Sequence, residues 1–92
     1  IRNTHWTASG RRFEWDVGKA EGNQRKHGVS FEEAATVLDD PHVLFVADWD
    51  HGEPRVNLIG VSAHGRVLFV VSVEMDNDCV RIVSARRCTP KE

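Results

Sequence analysis

No apolar run in the sequence approaches the roughly 20 residues that a membrane-crossing helix needs, and no secretory signal is visible. Cysteine is scarce. Cys79 and Cys88 lack C-x-x-C spacing, and two buried or idle thiols in a reducing, cytoplasmic compartment are the simplest reading. Low-complexity tracts are absent as well. Net charge nearly vanishes, at −2, so the total does not announce a nucleic-acid binder. Acid is missing where base collects. Residues 81–91 carry Arg81, Arg86, Arg87 and Lys91 and no carboxylate, whereas residues 39–60 carry Asp39, Asp40, Asp48, Asp50 and Glu53 against Arg55 alone. Such asymmetry fits either one face for a phosphate backbone and another for a basic partner, or an ordinary mixed surface.

What is present is globular. A chain of 92 residues, 40% of them hydrophobic and including three Trp and four Phe, has material for one domain with one modest core. A two-layer α+β arrangement follows more readily than a cleft between lobes.

Residues 1–12 show no sustained period and read as a flexible leader, leaving 13–92 as a single domain. Phe13 and Trp15 alternate with polar neighbours in a short first strand. Asp16 then caps a helix over Val17–Lys26 that Gly28 stops from the C′ position. Ser30 and Glu33 have capping-box spacing and open a second helix, with Phe31, Ala34, Ala35 and Leu38 on one face, which Asp39-Asp40-Pro41 ends. From His42 to Arg87 the pattern is an antiparallel meander: Val43–Trp49, Arg55–Ser62, Arg66–Val73 and Cys79–Arg86, joined at Asp50-His51-Gly52, Ala63-His64-Gly65 and Glu74–Asp78. The near-continuous apolar third member belongs in the middle of the sheet. Thr89-Pro90 resembles an N-cap and N1 pair opening a short C-terminal helix.

Several separated blocks carry a resemblance. They are Phe13-Glu14-Trp15-Asp16 with Lys19-Ala20 and Asn23; Lys26-His27-Gly28-Val29-Ser30-Phe31-Glu32-Glu33-Ala34; and the Asp-Pro that follows. Further on come Asp48, Asp50 and His51, Glu53-x-Arg55, Ile59-Gly60-x-Ser62, Gly65-Arg66, and Arg81 to Arg86. Together they resemble the toxins of the BrnT family over about residues 13–89. The resemblance implies a RelE-like α+β fold with two N-terminal helices on a twisted antiparallel sheet of four to five strands. It also implies a ribonuclease that cleaves RNA without metal or other cofactor and stops translation. The implied partner is a BrnA-like antitoxin, two toxins with two antitoxins, which alone would contact DNA; no membrane is involved. Two features depart from the family pattern, the leader and a last helix that stops at Glu92.

Metal-independent RNA cleavage requires a base for the 2′-OH, charge stabilisation at the phosphorus oxygens and a proton for the leaving 5′-oxygen. His27, closing the first helix beside Lys26, is the titratable candidate for acid or base work; its bland alternative is a helix-capping histidine favoured by the macrodipole. Lys19, Asn23 and Lys26 share one helical face, which fits a phosphate-facing stripe or a solvated one. Arg55, Arg66, Arg81 and Arg86 offer planar forks for phosphate, or ordinary surface ion pairs. Strand parity puts Arg81 on the open face if Val80 and Ile82 face the helices, and puts Arg86 on the core side. Glu53 shares a face with Arg55 and is the second candidate base. Trp49 and Trp15 suit base stacking or the core. Catalysis is therefore expected from His27, Lys26, Glu53, Arg55 and Arg81, with RNA contacts from Lys19, Asn23, Arg66, Arg86 and Trp49. Asp48-x-Asp50-His51 is the best metal-ligand arrangement, and no Cys/His cluster supports it, so no metal is expected. Two rival readings remain: a non-catalytic co-repressor partner of the antitoxin, and a nucleic-acid binder without chemistry.

Overall fold

The computed structural model describes residues 3–8, 10–49, 52–76 and 78–88. Period-two burial builds its sheet. In β2 (Arg11–Asp16) Phe13 and Trp15 are buried while their neighbours are not, so one face of the strand is committed to a core. Strands β3 (Leu44–Asp48), β4 (Arg55–Val61), β5 (Val67–Met75) and β6 (Cys79–Arg87) follow the helices as an antiparallel meander. β5 lies inside the sheet, between β6 and β4.

The sheet is larger and more mixed than expected. Asn3–Ala8, placed by the sequence in a flexible leader, forms strand β1, paired antiparallel with β2 along its whole length. The pattern is weak because β1 is an edge strand whose one large core-side residue, Trp6, rests on Trp15 with ring centroids 6.3 Å apart. β2 also pairs in parallel with β6 over Arg12–Glu14 and Cys79–Arg81. The result is a six-stranded mixed sheet in the order β1-β2-β6-β5-β4-β3 rather than an antiparallel sheet of four to five strands.

That order explains the second layer. The chain must pass from β2 to the opposite edge, and α1 (Val17–His27) and α2 (Phe31–Ala35) make the passage across one face. They cover Phe13, Trp15, Leu58, Leu68, Val70, Val80, Ile82 and Ala85 with Val29, Phe31, Ala34, Ala35 and Val37. Asp16 caps α1 by accepting from the Lys19 N–H at 3.0 Å, and Gly28 ends it at φ +70°, where a side chain would be strained. α2 is shorter than expected and tightens into a 3-10 turn over Thr36–Asp39. Its capping box is half made. Ser30 accepts from the Glu33 N–H at 3.0 Å, but the Glu33 carboxylate turns inward instead of reaching back to Ser30.

Two contacts fix the ends of the layer. Asp40 accepts from the backbone N–H groups of Val61 and His42, each at 2.9 Å, which holds its carboxyl below the usual range and moors the Asp-Pro turn to β4. Gly60 lies under that turn; a Cβ there would stand 3.1 Å from Val43 Cγ2 and 3.2 Å from Asp40 Oδ2. The expected C-terminal helix at Thr89-Pro90 and the turn at Asp50-His51 lie outside the described residues.

Candidate active site

Among the described residues nothing crosses the second face of the sheet, and cross-strand pairing assigns side chains to it, since paired residues share a face. Asp48 pairs with Arg55, Val73 with Arg81, Arg81 with Glu14, and Glu14 with His5. Arg55 follows one residue beyond the Val56–Ser72 pair, next to Val73. One transverse row therefore carries His5, Glu14, Arg81, Val73, Arg55 and Asp48 across the open face. Its charged groups come from five different strands, and Glu14 and Arg81 are 67 residues apart in sequence. Strand register alone brings them together.

At the centre of this row lies a groove of about 350 Å³ lined by Lys19, Glu53, Arg55, Val73, Met75, Arg81 and Val83. Three cations and one carboxylate surround a floor of apolar side chains. Lys19 reaches it because β2 leaves β6 after Glu14 and α1 takes its place along that strand. Arg55 donates from Nε and Nη2 to Glu53 Oε1, both at 3.2 Å. Arg81 donates from Nη1 to Glu14 Oε2 at 2.5 Å and from Nη2 to Asn3 Oδ1 at 3.4 Å. Both arginines are only partly buried, so water or a ligand can reach them. Of the expected site residues, the structure thus brings Lys19, Glu53, Arg55 and Arg81 into one groove.

The others lie elsewhere. Lys26 and His27 occupy the last turn of α1, about 10–12 Å along the helix from Lys19 at 1.5 Å per residue. Neither lines the groove. Asn23, read as a surface residue of the same stripe, is buried. Its amide bonds both backbone groups of Ala85, at 2.8 and 3.1 Å, and the carbonyl of Val29 at 3.0 Å. It supplies the ladder bonds that β2 no longer gives to β6.

Arg66 belongs to a separate cluster. It donates from Nε to Glu33 Oε2 at 2.9 Å, from Nη2 to Glu33 Oε1 and from Nη2 to the Gly28 carbonyl at 3.0 Å. Ser62 Oγ donates to Glu33 Oε2 at 2.7 Å. The Arg66 hydrogen bond holds the Glu33 carboxyl below its ordinary range against the opposing effect of burial, and Glu33 holds the Arg66 guanidinium more firmly protonated. The Glu33 side chain is 2% exposed, so this ion pair staples the β4–β5 turn to the helices. Simple parity misplaces Arg86. Ser72 pairs with Ile82 and Val71 with Ser84, so Val83 is an extra residue that inverts the alternation beyond it. Ala85 becomes core, and Arg86 lies on the open face with its guanidinium 4.7 Å from the Phe69 ring centroid. Trp49 is 72% exposed beyond the end of β3 and does not line the groove.

Glu14, Asn3 and His5 escaped the sequence reading. Glu14 stands in the sequence as the outward residue between two core aromatics and within a block of the family resemblance, with no site role, and Asn3 and His5 sit in the segment without periodicity. Cys79 also touches this corner, its Sγ 3.5 Å from Glu14 Oε1, and burial together with that carboxylate pushes the thiol up. Among the described residues no three His, Cys, Asp or Glu side chains gather as a metal-binding group, and no helix is long and apolar enough to cross a membrane.

A search of curated proteins returns no match. A family model described as the ribonuclease toxin BrnT of type II toxin–antitoxin systems matches residues 15–92, a span that includes Lys19, Glu53, Arg55 and Arg81, and the chain belongs to that family.

Proposed function

We propose that the chain is a RelE-like, metal-independent endoribonuclease that cuts RNA in the groove between β4, β6 and the start of α1. The observation that carries this reading is the convergence of Lys19, Arg55 and Arg81 with Glu53 around one open groove. Two planar guanidinium forks suit a phosphodiester and the extra charge it acquires in the transition state. Glu53, paired with Arg55, takes the 2′-OH proton in this reading, and Lys19 neutralises or protonates the leaving 5′-oxygen. The 2′-oxygen then attacks phosphorus as the bond to the 5′-oxygen breaks, leaving a 2′,3′-cyclic phosphate and a free 5′-OH. This assignment moves the reactive centre from His27 and Lys26 to the sheet face. In the cytoplasm such cleavage would stop translation until a BrnA-like antitoxin covers the toxin, two copies of each, with DNA contacted only through the antitoxin.

The test is cleavage of a short RNA, with and without EDTA, beside an all-2′-deoxy oligonucleotide of the same sequence. RNA cut equally in EDTA, with cyclic-phosphate ends and intact DNA, is the expected outcome. Loss of cutting in EDTA, or equal cutting of the DNA, contradicts the mechanism. The co-repressor reading draws on a different observation, that Arg55 and Arg81 each already face a carboxylate. A protein that cuts no RNA and arrests no growth, yet raises the antitoxin's operator affinity, would establish it.

A further inference from the structure

Arg81 is held by two N-terminal strands, through one residue of each. Glu14 Oε2 holds Nη1 on one side and Asn3 Oδ1 holds Nη2 on the other. The Glu14 carboxylate has a further contact, Cys79 Sγ lying 3.5 Å from its second oxygen. Asn3 owes its place to β1, which runs in register with β2 from Asn3 opposite Asp16 to Ala8 opposite Arg11.

A guanidinium has five N–H donors in one plane. Glu14 engages one on Nη1 and Asn3 one on Nη2, and three remain for a ligand. An arginine left to itself loses much of its rotamer freedom on gripping phosphate. One already clamped at both nitrogens has lost it beforehand, and a misplacement of about 1 Å at a reacting centre can cost roughly a hundredfold in rate.

We propose that Glu14 and Asn3 are positioning residues, which hold the Arg81 fork in the orientation that grips the scissile phosphate, so that the N-terminal strand is a working part of the site. The role rests on the reading of the groove as the RNA-cleaving site. It acts on orientation rather than attraction. Glu14 is an acid beside an anion-binding groove, so its removal does not weaken RNA binding; its loss is felt in turnover.

The experiment measures kcat and KM for RNA cleavage together with Tm, using Asn3→Ala, Asn3→Asp, Glu14→Gln and Arg81→Ala in the full chain. Asn3 is exposed, so its replacement leaves folding intact and keeps the test open if Glu14→Gln unfolds. We expect Glu14→Gln to lower kcat by roughly tenfold, with KM unchanged or reduced, and Asn3→Ala to lower kcat severalfold at unchanged KM and Tm. Asn3→Asp keeps the acceptor oxygen and should retain the wild-type kcat. Both losses should vanish in an Arg81→Ala background, because both act through that arginine. If Arg81→Ala is impaired while Asn3→Ala and Glu14→Gln turn over like the wild type, the positioning role is wrong and the groove reading stands. If Arg81→Ala itself cleaves like the wild type, the groove reading falls and this role with it. Losses that persist without Arg81, or that track Tm alone, also overturn the proposal.

Discussion

Arg81 and Arg66 each face a glutamate, and the two pairs sit in different regions of the molecule. Glu33 is sealed in the core side, where Ser62 Oγ and His64 Nδ1 also face its carboxylate and the Gly28 carbonyl takes another Arg66 donor. The chain elements this pair joins are a helix start, a helix end and a turn. Glu14 is more open, Arg81 keeps donors to spare, and two further cations stand across the groove with one carboxylate between them. The same Glu–Arg pairing thus serves as a staple where the carboxylate is sealed at 2% exposure and as a clamp where it is more open, at 18%. Removing one partner of the staple should cost stability; removing one partner of the clamp should cost turnover.

Predictions sharpen that contrast in decreasing order of size. The double variant Arg55→Ala/Arg81→Ala removes both forks from a solvent-accessible groove, and RNA cleavage should fall by at least about a thousandfold with little change in far-UV circular dichroism. Asn23→Ala strips the partners from Ala85 and Val29, and chemical denaturation should show a loss on the order of 2–3 kcal/mol with activity per folded molecule retained. Cleavage lost with no change in stability would return Asn23 to the RNA surface.

Glu33→Gln breaks the staple, and about 2 kcal/mol of stability should disappear at neutral pH, equivalent to on the order of 10 °C in Tm. The folded-state pKa of Glu33 is depressed below its ordinary value of 4.5. Its contribution is therefore present above about pH 4.5 and fades as pH falls through the folded pKa. The Tm gap between wild type and Glu33→Gln should narrow progressively below that pH; a gap independent of pH would mean that the pair is not ionised. The smallest effect belongs to Lys19→Gln, which should reduce the slope of log affinity against log salt for uncleavable 2′-O-methyl RNA by about one. An unchanged slope would place Lys19 away from the phosphates.

These two regions also differ in how far the sequence disclosed them. Local signals were legible: the Asp16 cap, the Gly28 stop, the Asp-Pro end of the second helix, and the apolar run that becomes the inner strand β5. The Glu53-x-Arg55 pair was legible too, since residues two apart on a strand share a face. The rest depends on register. Nothing in residues 3–8 announces an edge strand with one aromatic contact, so β1 and the clamp it carries were hidden. Glu33 looked like the second half of a capping box because the residue that claims it, Arg66, is thirty-three positions away. Asn23 looked solvated because its partners at Ala85 come from the other end of the chain. Arg86 changed faces because one extra residue, Val83, sits in β6. Each gap is a non-local pairing that periodicity does not encode.

The most direct test sets Arg81→Ala against Arg66→Ala, with cleavage rate normalised to the folded fraction and Tm measured on the same samples. The groove account predicts a stable, nearly inactive Arg81→Ala and a destabilised Arg66→Ala whose folded molecules cut RNA at the wild-type rate. The opposite pattern, with Arg81→Ala fully active and Arg66→Ala folded but inert, would contradict it.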